Sequence, residues 1–245
     1  MNPRYPRIFA YHAIAHIPND RNGAGTSPER FEAQMLYLKR RGLRGVSTRE
    51  LRRAEMMGNN TRLVGLTFDD GYQDFLHTAL PVLEGVGFSA TVFTVAGMLG
   101  EENNWHHVYE PRPRLKLLTA EDLREISERG TEVGSHGLAH RKLSELAPET
   151  LKQEVSDSRH LLGEILGGTV EGFSYSYGDL NGAAIEAVRR AGYAYACAWN
   201  THGWRTNGDS MDYCLPRIPV SQKDGLARFA AKLEVYPHYA RLFKT

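Results

Sequence analysis

Leu63-Val64-Gly65-Leu66-Thr67-Phe68-Asp69-Asp70-Gly71 is an apolar, β-rich run that passes without a spacer into two adjacent carboxylates and a glycine. Such a continuous run fits a strand covered on both faces, as in a parallel sheet flanked by helices. Two adjacent acids repel. At the C-terminal end of a strand they gain by dividing labour, one ligating a cation that also keeps the other ionised and available as a base. Taken alone, Asp-Asp-Gly after a strand equally describes a solvated turn.

Working outward, further β-rich runs occur at Ile8 to His12, Ala90 to Val95, Glu132 to Ser135, Gly172 to Tyr175, Tyr193 to Ala198 and Ile218 to Val220. Helix signatures lie between them. Ser27-Pro28 is an N-cap and first-turn pair, Phe31, Met35 and Leu38 recur at helical spacing, and Gly42 is placed to end that helix. Thr119 with Asp122 forms a weak capping box with Gly130 as a stop, Leu151, Val155 and Leu162 form an apolar stripe, and Asn181 to Gly192 reads as a short helix. This βα alternation predicts an α/β fold with a parallel sheet, and about seven units suit a closed or nearly closed barrel in a single domain over 1–245. An open doubly wound sheet is the alternative.

The chain has 245 residues, 41% of them hydrophobic, enough for one substantial core without disulfides. Its 30 Lys plus Arg nearly cancel 29 Asp plus Glu, and no basic run breaks the balance, so nucleic acid is not an expected partner. The two cysteines, Cys197 and Cys214, lack metal-type spacing and read as reduced thiols. No stretch approaches 18 apolar residues, so no transmembrane segment is expected. The apolar stretch before His12 is too short for a secretory h-region, and the expectation is a soluble, cytoplasmic protein.

Three further segments can carry chemistry. In Glu132-Val133-Gly134-Ser135-His136-Gly137-Leu138-Ala139-His140 two imidazoles stand four apart, a metal-ligand spacing if the segment coils after its strand. With an aspartate they make a facial set that leaves positions open for water, as catalytic metal sites do. Gly172-Phe173-Ser174-Tyr175-Ser176-Tyr177-Gly178 is a strand ending in a turn whose backbone N–H groups can face a developing oxyanion. Tyr11-His12 closes the first strand, where a lone histidine is also a common structural residue. All of these lie at predicted C-terminal strand ends, the face of a barrel where active sites gather. Two long loops, Met98 to Leu118 and Asn200 to Leu215, carry Trp105 and Trp204. An open groove lined by both would suit sugars, whose C–H faces stack on aromatic rings.

Thr-Phe-Asp-Asp-Gly at 67–71, Ser-His-x-x-x-His at 135–140 and Tyr-x-Tyr-Gly at 175–178 together resemble the polysaccharide deacetylases of carbohydrate esterase family four. The resemblance spans about Tyr11 to Val220. Tyr-His at 11–12 and Leu-Pro-Arg-Ile at 215–218 look most like its exopolysaccharide branch. It implies a distorted parallel (β/α) barrel and metal-dependent removal of acetyl groups from N-acetylated or O-acetylated sugars. By motif, Asp69 is then the general base, and Asp70, His136 and His140 are the metal ligands. Tyr177 lends its backbone N–H to the oxyanion, and Trp105, Trp204 and Tyr175 are expected at the sugar. One divalent transition metal is expected, Zn²⁺ first, with Co²⁺, Ni²⁺, Mn²⁺ and Fe²⁺ also suited to two nitrogens and a carboxylate.

Three departures from the family pattern matter. Tyr175 and Ser176 stand where the third motif often has Arg and Pro, so another residue must orient Asp69, and Arg217 is the candidate. Gly137 stands where Ser or Thr usually follows the first histidine. The late Leu-x-His motif that supplies the catalytic acid is missing, since the one histidine after Leu215 is His238. His12 is the candidate replacement, because the first strand of a barrel can border the last. Other readings are a catalytically impaired carbohydrate-binding barrel and a metal-dependent amidase acting on a small non-sugar amide.

Overall fold

The computed structural model describes residues 7–18, 20, 25–105, 114–199 and 208–242. Among these residues nine short strands form one parallel sheet: β1 (Ile8–Tyr11), β2 (Arg44–Val46), β3 (Leu63–Phe68), β4 (Thr91–Thr94), β5 (Glu132–Ser135), β6 (Gly172–Ser174), β7 (Tyr195–Ala198), β8 (Leu215–Pro216) and β9 (Ile218–Pro219). Their order is β8-β7-β6-β5-β4-β3-β1-β9. Off this path, β2 holds the first half of β3, and β4 pairs with its last residues. The two ends of that order are halves of one extended segment. It pairs with β7 through Leu215 and Pro216 and with β1 through Ile218 and Pro219, leaving Arg217 at the seam. The sheet is thereby brought round nearly into a barrel, as the βα alternation predicts. β2 and β8 are too short to stand out as hydrophobic runs.

Among the described residues seven α-helices surround it: α1 (Pro28–Arg40), α2 (Thr48–Met56), α3 (Leu80–Val86), α4 (Ala120–Glu128), α5 (Pro148–Leu166), α6 (Gly182–Arg190) and α7 (Leu226–Leu242). The expected caps are in place. Ser27 Oγ accepts from the Arg30 N–H, Thr119 and Asp122 form a reciprocal capping box, and Asn181 Oδ1 accepts from the Ala184 N–H at 2.9 Å. α2 is capped in the same way, Ser47 Oγ accepting from the Glu50 N–H at 3.2 Å, a Ser-x-x-Glu signal that sequence reasoning missed, whereas α3 and α7 carry no equally clear one. A π-helical turn over Phe75–Ala79 runs directly into α3, which blurs its start.

Side chains alternate along each strand, and the alternation decides what enters the lumen. On β3, Val64, Leu66 and Phe68 pack outward with Phe31, Met35 and Leu83 in the main core. Leu63, Gly65, Thr67 and, one step past the strand, Asp69 take the opposite face. The lumen's lower half holds Ile8, Val46, Leu51, Phe93, Tyr195, Cys197 and Leu215. Beside them the buried Glu132 carboxyl accepts from Tyr195 Oη, Thr91 Oγ1 and the Arg49 N–H, all within 2.9 Å. A packed lower lumen leaves the upper end for polar chemistry. Cys197 and Cys214 are both free and buried, and burial pushes their thiols up to about 12 and about 11. No helix among the described residues is long and apolar enough to cross a membrane.

Close approach across the lumen requires small residues. A Cβ on Gly134 would lie 2.5 Å from the Phe93 ring and 3.0 Å from the Gly172 carbonyl oxygen. Gly134→Ala is therefore expected to cost about 1–3 kcal/mol in urea denaturation through overpacking. Gly85→Ala, in exposed helix with nothing within 4 Å of its new methyl, is expected to be neutral or to stabilise by about 0.5–1 kcal/mol. Equal effects at the two positions would contradict this packing.

Candidate active site

The C-terminal strand ends converge on a cavity of about 190 Å³ lined by His12, Asp69, Asp70, His136, His140, Tyr175, Tyr177 and Trp199. β3 delivers Asp69 and Asp70, β5 delivers His136, β6 leads into Tyr175 and Tyr177, β1 into His12 and β7 into Trp199. Asp70, His140 and Tyr177 all have positive φ, at 74°, 55° and 61°, and no other non-glycine residue among those described does. Each such residue costs roughly 1–3 kcal/mol and persists only where surrounding contacts impose it. Backbone strain is thus concentrated in three of the cavity's own residues.

Asp69 is fixed first. Arg217 grips it with two parallel bonds, Nη1 to Oδ1 at 2.6 Å and Nη2 to Oδ2 at 2.7 Å. The same two terminal nitrogens also reach Thr67 Oγ1 at 3.1 Å, from Nη1, and Ser174 Oγ at 2.9 Å, from Nη2. Both side chains of the pair are almost fully excluded from solvent. Burial raises the pKa of Asp69. The charge of Arg217, then that of His136, then the Arg217 hydrogen bonds outweigh it and bring the carboxyl below the usual aspartate value.

Asp70 points instead at two imidazoles. Its Oδ1 is 3.4 Å from His136 Nε2 and 3.2 Å from His140 Nε2. Burial raises its pKa too, but hydrogen bonds from His136 and then His140 override this and hold the carboxyl well below its ordinary value. His136 Nδ1–H donates to the Ser174 carbonyl at 2.8 Å, since a carbonyl can only accept, and this leaves Nε2 as the ring atom that faces Asp70. The same Nε2 atom can donate to the carboxylate as an N–H or, once its proton is displaced, ligate a cation held by both groups. Ligand atoms of Asp70, His136 and His140 all lie within 4.8 Å of one another, and all three residues are buried. Asp70 Oδ2 and His140 Nδ1 have no hydrogen-bond partner among the described residues. Two nitrogens and a carboxylate with orphaned polar atoms fit a divalent transition metal.

The other expected site residues fall in different places. Arg217 reaches Asp69 from the seam strand. Ser176, in the place of the family's proline, donates its hydroxyl to the His136 carbonyl at 2.9 Å, a bond proline could not make. His12 lines the cavity with its ring 5.0 Å from that of Trp199. Tyr175 is a wall rather than a polar contact, because its ring is buried and its hydroxyl donates to the Tyr213 carbonyl at 3.1 Å. Trp105, expected at the sugar, does not line the cavity. Its loop doubles back through the Glu102–Lys116 and Tyr72–Leu117 bridges, stacking the indole on His140 at 4.3 Å between centroids. Trp204 lies outside the described residues. Sequence reasoning missed Trp199, whose position directly after β7 was the available signal, and Ser174, a lumen-facing hydroxyl one pleat before the turn.

Comparison with known proteins follows this geometry. A model of the polysaccharide deacetylase family matches residues 57–196, which include every residue lining the cavity except His12 and Trp199 and stop short of Arg217. YxkH of Bacillus subtilis, provisionally named a polysaccharide deacetylase, is 28% identical over 229 residues, covering 93% of this chain and 75% of its own. The poly-β-1,6-N-acetyl-D-glucosamine N-deacetylase of Staphylococcus aureus is 25% identical over 205 residues, 80% of this chain and 67% of its own. In fold, the Streptococcus pyogenes deacetylase PplD superposes with a TM-score of 0.77 over 95% of this chain and 99% of that one, at 23% identity. IcaB from Ammonifex degensii gives 0.76 over 95% and 98%, at 22% identity.

The Arg217 clamp has a measurable signature. The folded pKa of Asp69 lies below its unfolded value, so the pair's contribution is present above the unfolded pKa and lost as pH falls through the folded one. Arg217→Met strands a buried carboxylate and is expected to cost about 3–5 kcal/mol in denaturation at pH 7. The deficit should shrink as pH falls, first as the stranded acid, raised by burial once Arg217 is gone, protonates above the ordinary aspartate value of about 4, and further below it as the wild-type pair is lost. A deficit independent of pH would show that the pair does not carry it.

Proposed function

This chain belongs to the polysaccharide deacetylase family, enzymes acting on amide bonds, and from that premise we propose that it hydrolyses the acetamide of N-acetylated amino sugars in a polysaccharide or its precursor, releasing acetate and a free amine. The observation that carries the reading is the pairing of a clamped, ionised Asp69 with the Asp70, His136 and His140 cluster in one cavity. The Staphylococcus relative's named substrate, a β-1,6-linked N-acetylglucosamine polymer, supports the same substrate class. Sugars present C–H faces to aromatic rings, and Trp199 and Tyr177 line the cavity beside the acid groups. Retention of base and ligand cluster together favours an enzyme over an impaired binding barrel.

Asp70, His136 and His140 would hold the metal, Zn²⁺ first, which when bound supplies a Lewis acid and lowers the pKa of a coordinated water toward about 7. Asp69, kept ionised by Arg217, accepts the proton of the attacking water. Its orientation is set before substrate arrives, because both carboxylate oxygens are already engaged by the guanidinium. The turn at Tyr177, where φ is 61°, offers a backbone N–H to the oxygen that gains charge, an interaction of a kind worth about 3–4 kcal/mol of barrier. His12, at the cavity wall, gives a proton to the departing amine.

The test is acetate release from β-1,6-linked N-acetylglucosamine oligomers with Zn²⁺ added. Wild type is expected to release acetate, and Asp69→Asn to be slower by at least about a hundredfold. His12→Ala should slow amide cleavage more than cleavage of an activated acetyl ester, whose leaving group needs no proton. Unchanged turnover in Asp69→Asn would remove that residue from the base role, and equal losses on amide and ester would make His12 structural. A wild type that binds the oligomers and releases no acetate would favour the binding-barrel reading.

A further inference from the structure

The segment Gly137-Leu138-Ala139 joins the two histidines of the cluster, and its backbone is held on every side. The Gly137 N–H donates to Ser135 Oγ at 3.1 Å. The Gly137 and Leu138 carbonyls accept from the Ala96 and Gly97 amides at 3.0 and 2.8 Å. The Ala139 N–H, directly before His140, donates to Glu154 Oε1 at 2.7 Å. Glu154 belongs to α5, whose inward stripe is Leu151, Glu154, Val155, Ser158 and Leu162. A carboxyl on the core face of a helix is unfavourable unless something requires it. Among the described residues this one is 3% exposed and its hydrogen bond goes to that single amide.

Gly137 explains how it fits. Its φ is +85°, and a Cβ there would sit 2.9 Å from Glu154 Oε1. A side chain at 137 and the Glu154 carboxyl compete for one space. The hydroxyl that usually follows the first histidine in the family's second motif is absent from this chain, and the carboxyl of a neighbouring helix occupies the place beside that position.

We propose that Glu154 is a positioning residue for the metal cluster: by holding the Ala139 amide it sets the strained backbone of His140 and so the direction of its imidazole, and Gly137 is the space this requires. The inference rests on the reading of Asp70, His136 and His140 as metal ligands. Groups that orient a metal ligand from behind typically change affinity by about 10–100-fold when removed. Glu154 acts here through backbone rather than through an imidazole nitrogen. The α5 stripe therefore carries function as well as packing, with Ser158 Oγ accepting from Ser135 Oγ at 2.9 Å one turn further on.

The test is Zn²⁺ affinity of the whole chain, read by competition with a chromogenic chelator, for wild type, Glu154→Met, Glu154→Gln and Asp70→Ala. Met fills the same volume without an acceptor, while the Gln carbonyl oxygen can still take the Ala139 N–H. Expected are a loss of about 10–100-fold for Met and a value within about threefold of wild type for Gln. Gly137→Ala attacks the contact from the other side and is expected to weaken Zn²⁺ binding as Met does, which keeps the test open if Met impairs folding. Affinities for Met and Gln that are equal to each other, or a Gly137→Ala protein with wild-type affinity, would overturn the inference. In those cases Asp70→Ala would still lose Zn²⁺ and the ligand reading would stand. A folded wild type that binds no Zn²⁺ would sink the ligand reading, and this inference with it.

Discussion

A guanidinium and a carboxylate, Arg217 and Asp69, meet where the barrel closes, and the arrangement of the upper lumen follows from that pair. Removing two charges from water is costly, and a buried pair is maintained only where geometry is good and the remaining donors are satisfied. The geometry is good, and both terminal nitrogens of the guanidinium are fully used. The contact is bidentate, and the outer donors reach Thr67 and Ser174 on two different strands. Arg217 also sits between the half-strands that pair with β7 and β1, so the residue that joins the two ends of the sheet is the one that orients the proposed base. Closure of the fold and placement of the acid are one interaction.

With Asp69 turned to Arg217, its neighbour must point elsewhere. Asp70 does so through a left-handed backbone, and the two histidines meet it from β5 and from the coil beyond. The strain at Asp70, His140 and Tyr177 is held in place by ordinary bonds: the Ser174 carbonyl on His136, the Ser176 hydroxyl on the His136 carbonyl, the Glu154 carboxyl on the Ala139 amide, and the Trp105 ring on His140. This is the form expected of a preorganised site, in which geometry is set by neighbours rather than by the ligand.

Much of this was legible because strands speak through alternation and motifs through spacing. The β3 run, its two acids, the paired histidines and the capped helices α1, α4 and α6 all announce themselves locally. β2, β8 and α7 do not, since two or three residues of strand carry no period and a late helix without a clear cap carries little signal. The roles of Trp105 and Glu154 are tertiary. An aromatic on a long loop reads as a sugar platform until the loop folds back, and a glutamate in an apolar stripe reads as noise until the facing loop shows an amide without another acceptor. Glu154 at three residues from Leu151 and one from Val155 was the available clue. Arg217 lay within reach of sequence reasoning only because the missing motif arginine demanded a substitute.

The central claim is a division of labour between adjacent aspartates, one clamped as base and the other turned to a metal. Anomalous diffraction at the zinc edge, on crystals soaked in Zn²⁺, tests it most directly. The account predicts one strong peak within bonding distance of Asp70, His136 Nε2 and His140 Nε2, with Asp69 still paired to Arg217. A peak ligated by Asp69 after it has left Arg217, or no peak at the cluster, would contradict it.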